Sequence, residues 1–216
     1  MKSLVILISG RGSNMLGIAR ACAEQGWPAR VAAVISNDPN AAGLSSAAAL
    51  GLPTEALSHK SFPSRDAFDA ALVERIDAYR PDLVVMAGFM RVLGAAFVDH
   101  FQGRLINIHP SLLPAFPGLD THARALAAGV RVHGATAHFV TPDLDAGPII
   151  AQVVVPVFAD DSPASLRARV QIAEHRLYPA VVRGFVEGLV ALHGDRVLLA
   201  EGMSAAMGLD DGPSTH

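Results

Sequence analysis

Apolar runs of strand length alternate with segments of helical period through the first half of this chain, and few architectures accept that pattern. Leu4–Ser9, Val31–Ser36, Leu83–Met86 and Leu105–His109 read as strands, with Pro53–Leu57 as a shorter one. Between them, Asn14–Glu24 sets Met15, Ile18, Ala19 and Cys22 on one side of a helix, and Ala41–Leu50 is an alanine-rich helix. Ser64 supplies the N-cap of a third helix reaching Tyr79, with Phe68, Leu72, Val73 and Ile76 at helical spacing. Strands apolar almost throughout have both faces covered, so the expected fold class is α/β, a mostly parallel sheet flanked by helices. Ligands of such sheets lie outside the carboxyl ends of the strands. Ser9–Asn14, the Gly88 region, and Asn107 with His109 therefore belong on one edge.

From Arg131 the pattern changes. Val132–Val140 and Ile149–Val157 read as two longer strands, an antiparallel extension joined by the loop Thr141–Pro148. Ser162 and Pro163 start a long helix, Ala164 to about Gly188, by cap and first-turn preference. Val197–Leu199 is a short strand, and Gly202–His216 reads as a mobile tail, because Gly, Ser, Pro and Asp dominate it. No linker divides the chain, and 216 residues suit one domain. The predicted division is a domain over residues 1–190, with halves meeting near residue 100, and a terminal segment over 191–216.

Composition removes several function classes. A hydrophobic fraction of 51% supports a packed core rather than disorder. A net charge of -3 with no basic stripe argues against a nucleic-acid partner. Cys22 is the single cysteine, so no intrachain disulfide is available, and its helical position predicts burial. The Leu4–Ile8 run is too short for a signal peptide and leads straight into a glycine loop, and no run is long enough to span a membrane. The expected location is cytoplasmic.

Four segments can carry chemistry. In Leu105–His109, period-two alternation puts Asn107 and His109 on one strand face and Ile106 and Ile108 on the other. A carboxamide beside an imidazole suits a developing oxyanion and a proton, and equally suits a strand end that satisfies neighbouring backbone. Ser9–Asn14 (SGRGSN) lies between strand and helix. It lacks the glycine spacing of the dinucleotide loop and the Gly-Lys-Ser/Thr of the Walker loop, leaving a monophosphate cradle or a structural turn. Met86–Leu93 could line a flat apolar slot for an aromatic ligand or pack as ordinary core. Asp143 and Asp145 sit in a turn-rich loop; Asp145 matters only if folding brings it to His109, where it would favour the imidazolium. His109, His122, His133 and His138 are scattered without metal-ligand spacing, so no metal is expected. His138 reads as a support or a satisfied core residue, and Arg11, Arg65 and Glu174 read by themselves as solvated.

Taken in order, SGRGSN at 9–14, AGFMRVL at 87–93, NIHPSLLPAFPGLDTH at 107–122, HGATAHFV at 133–140 and DLDAGPII at 143–150 resemble the phosphoribosylglycinamide formyltransferases. The resemblance runs to about Gly188. It implies a Rossmann-like fold and formyl transfer from 10-formyltetrahydrofolate to the amine of phosphoribosylglycinamide in purine synthesis. By motif, it makes Asn107, His109 and Asp145 the catalytic trio, supported by His138. Gly12, Ser13, Asn14 and Glu174 would bind the ribonucleotide; Arg65, Met90, Arg91, Val92, Leu93, Asn107 and Leu144 would bind the folate, with the loop around Pro142–Ala146. The phosphate half would be residues 1–100 and the folate and catalytic half 101–190. A cis peptide at Leu113-Pro114 and a monomer or weak homodimer are also implied. The sequence departs where some relatives carry histidine for Asp120 and glycine for Ala146, both on the cleft wall.

Related readings are a methionyl-tRNA formyltransferase, which carries an added RNA-binding domain, and a formyltetrahydrofolate hydrolase, which carries an N-terminal regulatory domain. Neither addition is expected here. A silent nucleotide-binding module would keep the glycine loop with no need of Asn107, His109 and Asp145 together.

Overall fold

The computed structural model describes residues 1–203. In chain order the elements are β1 (Lys2–Ile8), α1 (Ser13–Glu24), β2 (Ala29–Ser36), α2 (Ala42–Ala49), β3 (Thr54–Ala56) and α3 (Arg65–Asp77). Then follow β4 (Leu83–Met86), α4 (Ala95–His100), β5 (Leu105–His109), α5 (Thr121–Ala127), β6 (Val132–Phe139) and β7 (Ile149–Pro156). The long helix α6 (Pro163–Val186) and a hairpin of β8 (Val190–His193) and β9 (Arg196–Leu199) complete the described chain.

Seven strands form one sheet in the order β3-β2-β1-β4-β5-β6-β7. The first five run parallel, while β6 lies antiparallel to β5 and β7 antiparallel to β6. The α/β class and the antiparallel extension are both as the sequence predicts. Alternation along β1 divides the core: Leu4, Ile6 and Ile8 pack with Met15, Ile18, Leu177 and Val181 from α1 and α6. Val5 and Leu7 pack on the other face with Phe68, Leu72, Ile76, Phe97 and Phe101 around α3 and α4. Cys22 is buried, as its helical position predicts.

Parallel register fixes the working edge. Leu7 pairs with Met86, and Met86 pairs with Asn107, so the carboxyl ends of β1, β4 and β5 lie side by side. The buried Tyr178 of α6 reinforces them from below. Its hydroxyl points between the carbonyls of Met86 (3.0 Å) and Ile106 (3.1 Å).

Three elements depart from the sequence reading. α4 and α5 were not foreseen; they span six and seven residues, too few for periodicity to register, and packing holds them, with Phe97 and Ala125 buried. β9 has a partner, β8, across the turn Gly194-Asp195, a glycine-containing hairpin absent from the sequence reading. Met203, assigned to the tail, is buried against Gly184. The rest of that tail lies outside the described residues.

Candidate active site

Asn107 and His109 stand on one face of β5, and β6 lies beside them: Asn107 pairs with His138, and His109 with Thr136. The β6–β7 connection returns over this edge. Asp145 there adopts a left-handed conformation (φ 52°) and turns its carboxylate inward. Its Oδ2 lies 3.3 Å from His109 Nδ1 and accepts the Gly118 N–H at 2.8 Å. The other ring nitrogen of His109, Nε2, faces the Phe116 carbonyl at 3.0 Å. The two nitrogens of His109 thus lie near two different oxygens, one a carboxylate and one a backbone carbonyl. The Asp145 and His109 side chains are both buried, so solvent screens the pair little.

His138 is also near Asp145, Nε2 to Oδ1 at 4.0 Å, but is not its ionic partner. Burial lowers its pKa, more than the Phe139 carbonyl and Asp145 raise it. The neutral ring donates from Nδ1 to the Phe139 carbonyl (2.8 Å), leaving Nε2 to accept from Asn107 Nδ2 at 3.3 Å. One carboxamide N–H is thereby fixed, and the orientation of the amide with it.

A polar row behind these residues holds the loop that follows β5. Thr136 Oγ1 donates to the Ser111 carbonyl (2.7 Å) and accepts from Leu113 N (3.0 Å) and Gln152 Nε2 (2.9 Å). Gln152 also donates to the Leu113 carbonyl at 2.8 Å. The Leu113-Pro114 peptide is cis. The ring of His133 stands edge-on to His122 with centroids 5.4 Å apart. Burial holds the pKa of both down, that of His122 to about 4. Sequence reasoning missed Thr136 and Gln152. For Thr136 the signal was a period-two polar pattern, Thr136 and His138 sharing one face of the strand.

The glycine loop lies along the same edge. Gly12 takes a left-handed conformation (φ 69°) at the start of α1, where no side chain caps the helix and no acidic residue occupies the first turn. Its first-turn N–H groups, with the positive end of the helix dipole, remain available to an anion. A Cβ at Gly12 would come within 3.0 Å of Met15 Cε and 3.2 Å of Gly43 Cα. Gly43, not foreseen, lets α2 pack on the loop: its N–H bonds the Gly10 carbonyl at 2.9 Å, and a Cβ there would meet Ile8 Cδ1 at 2.6 Å. Asn14 Nδ2 donates to Glu174 Oε2 at 2.8 Å, and Gln171 Nε2 donates to Ser13 Oγ at 2.8 Å, joining α6 to the loop. Glu174 is buried, not solvated as its surroundings in sequence suggested, and burial raises its pKa against the Asn14 bond.

The segment after β4 divides its side chains. Phe89 and Leu93 enter the core, while Met90 and Val92 are 67% and 57% exposed. The core reading therefore holds for Phe89 and Leu93 and not for Met90 and Val92. Leu144, beside Asp145, is 59% exposed. Arg65 opens α3 and lines, with Asp69, Gly94 and His100, a shallow cavity of about 390 Å³. That cavity sets Arg65 beside Gly94 and includes none of the trio.

The formyl transferase family profile matches residues 1–182. This chain belongs to that family. It is 50% identical over 191 residues to the phosphoribosylglycinamide formyltransferase of Escherichia coli, covering 88% of this chain and 90% of the relative. Among solved structures, glycinamide ribonucleotide transformylase 1 of Symbiobacterium toebii is similar, with a TM-score of 0.90 and 46% identity over 93% of this chain and 95% of that one. The trifunctional purine biosynthetic protein adenosine-3 of Drosophila melanogaster is 46% identical over 87% of this chain, but the match spans only 14% of that longer protein. In this formyltransferase no helix among the described residues is long and apolar enough to cross a membrane. No group of three or more His, Cys, Asp or Glu among them is placed to hold a metal ion.

Proposed function

We propose that this formyltransferase moves the formyl group of 10-formyltetrahydrofolate to the amine of 5'-phosphoribosylglycinamide, a step of de novo purine synthesis. The observation that carries the reading is the meeting of Asn107, His109 and Asp145 at the sheet edge, with His109 Nδ1 3.3 Å from the Asp145 carboxylate. A silent nucleotide-binding module would have no use for that pair.

In the proposed chemistry the folate supplies an activated formyl group on its N10. The substrate amine forms the new C–N bond, the C–N10 bond breaks, and N10 gains a proton as the amine sheds one. Asn107, its amide oriented by His138, and His109 stabilise the negative charge that builds on the formyl oxygen. His109 gives up the Nε2 proton now held by the Phe116 carbonyl when the 111–118 loop yields that bond to substrate, and the amine's proton restores it. Asp145 orients the ring and offsets the positive charge it carries while protonated. No metal enters this chemistry.

The first-turn amides of α1, with Gly12, Ser13 and Asn14, bind the substrate phosphate, and Glu174 takes the ribose side. The folate pterin lies against Met90, Arg91, Val92, Leu93 and Leu144, whose exposed members fit a flat ring, and Arg65 meets the acidic tail. Residues 1–100 then hold the phosphate and, through Arg65 and Met90–Leu93, part of the folate, while 101–190 carry the chemistry with Leu144 and Glu174, within one domain ending near residue 190. The reading carries with it a cytoplasmic enzyme, monomeric or weakly dimeric, acting without nucleic acid or membrane.

The test follows folate absorbance with and without phosphoribosylglycinamide. Turnover that requires the acceptor supports the proposal; equal turnover without it would assign the protein to formyl-folate hydrolysis instead.

A further inference from the structure

Residues 88–94 run without helix or strand between β4 and α4, yet two side chains from elsewhere hold the segment by its backbone. The Met90 N–H donates to Ser9 Oγ at 2.7 Å, and the Gly94 N–H donates to Asp69 Oδ2 at 2.7 Å. We propose that Ser9 and Asp69 form a clamp that fixes the 90–93 segment in the shape that receives the folate ring, so that both are positioning residues for that substrate. The inference rests on the reading of Met90–Leu93 as folate-binding.

Each anchor is itself braced. Ser9 leaves the end of β1 at the start of the phosphate loop; its N–H bonds the Gly88 carbonyl at 3.1 Å, and its hydroxyl donates to Asn37 Oδ1 at 2.5 Å. Asn37 is buried and in turn meets His59 Nδ1 at 3.2 Å. One hydroxyl therefore links the phosphate loop to the folate segment, with its single proton committed to Asn37 and its lone pair to Met90. Asp69 projects from α3 and is 6% exposed, with no part in the chemistry proposed above. Burial raises its carboxyl pKa, opposed by the Gly94 N–H and by the charges of Arg65 and Arg91. Its Oδ1 and the Nε of Arg91 are both buried without a hydrogen-bond partner among the described residues. The fit at Gly94 is close: a Cβ there would stand 3.1 Å from Asp69 Oδ2.

The physical consequence is preorganisation. A loop without ladder hydrogen bonds loses entropy when it closes on a ligand, and two fixed N–H groups remove part of that loss beforehand. Releasing either anchor weakens ground state and transition state alike, so the folate KM rises while kcat at saturation stays put.

The experiment measures tetrahydrofolate binding by calorimetry and steady-state kinetics in Asp69→Ala, Asp69→Asn and Ser9→Ala. Loss of a hydrogen bond to a charged acceptor should raise the folate Kd and KM of Asp69→Ala about tenfold or more. Its phosphoribosylglycinamide KM and its kcat should stay within about twofold of the unaltered enzyme. Asp69→Asn keeps an oxygen for the Gly94 N–H and should recover most of the affinity, and Ser9→Ala should also weaken folate. A folded Asp69→Ala, or a folded Ser9→Ala where the first does not fold, that binds tetrahydrofolate as tightly as the unaltered protein overturns the clamp and leaves the site reading intact. Equal losses for both substrates would also overturn it, as a general structural defect. An unaltered protein that binds no tetrahydrofolate at all removes the site reading, and the clamp with it.

Discussion

The two ends of the working edge are made of different material. At the glycine loop the site is backbone: a left-handed Gly12, uncapped amides at the start of α1, and a neighbouring Gly43 that permits close packing. At the trio the site is side chain: Asn107 and His109 from β5 meet Asp145 from a loop 36 residues further on, with His138 and Thr136 from the strand between. A backbone site tolerates change in any side chain that does not bend the chain. A side-chain site loses its chemistry with one atom. On the function proposed above, the first end governs binding and the second governs rate.

Three perturbations sharpen that contrast. Asn107→Ala should lower kcat by about 10²–10³, because an oxyanion donor acts in the transition state. A loss below about threefold with both substrates saturating would put Asn107 outside the chemistry. Gly12→Ala should act on binding instead, since φ 69° and Met15 Cε at 3.0 Å leave no easy place for a methyl group. The phosphoribosylglycinamide KM should rise roughly tenfold with kcat little changed; a fall confined to kcat would break the division between the two ends.

The smallest effect concerns stability. Behind the trio, His122 titrates near 4 against an ordinary value of 6.5, so between those values the unfolded chain binds more protons than the folded one. Stability from this group is complete above 6.5 and is lost on acidification, on the order of 3 kcal/mol by pH 4. Beneath the phosphate loop, Glu174 has its pKa raised, and the sign reverses: its contribution is complete below 4.5 and diminishes as pH rises through the folded value. Thermal unfolding against pH should therefore lose acid sensitivity in His122→Phe and lose the opposite slope in Glu174→Gln. Parallel curves for both variants and the unaltered protein would refute the assignment.

The contrast also explains what was legible in the sequence. Strand alternation and the glycine loop are local, so β1, β4, β5 and the start of α1 could be placed within a residue or two. Asn107 and His109 could be set on one face because two residues apart on a strand is a geometric statement. Asp145 could not be brought to them from the residues alone; only the family resemblance joined them, since the pairing depends on how the β6–β7 connection folds back. Glu174 looked solvated because its neighbours in sequence are polar, whereas α6 turns it beneath the loop to meet Asn14. Gly43 and Gln152 carried no readable local signal, being significant only for what packs against them.

The central claim is that His109 and Asp145 work as one unit across their 3.3 Å separation. A double-mutant cycle of His109→Ala and Asp145→Ala, read as kcat with both substrates saturating, tests it most directly. If the pair is a unit, the double variant should be no slower than the worse single variant by more than about threefold. If the two losses simply multiply, the residues act independently and the account of the site is wrong.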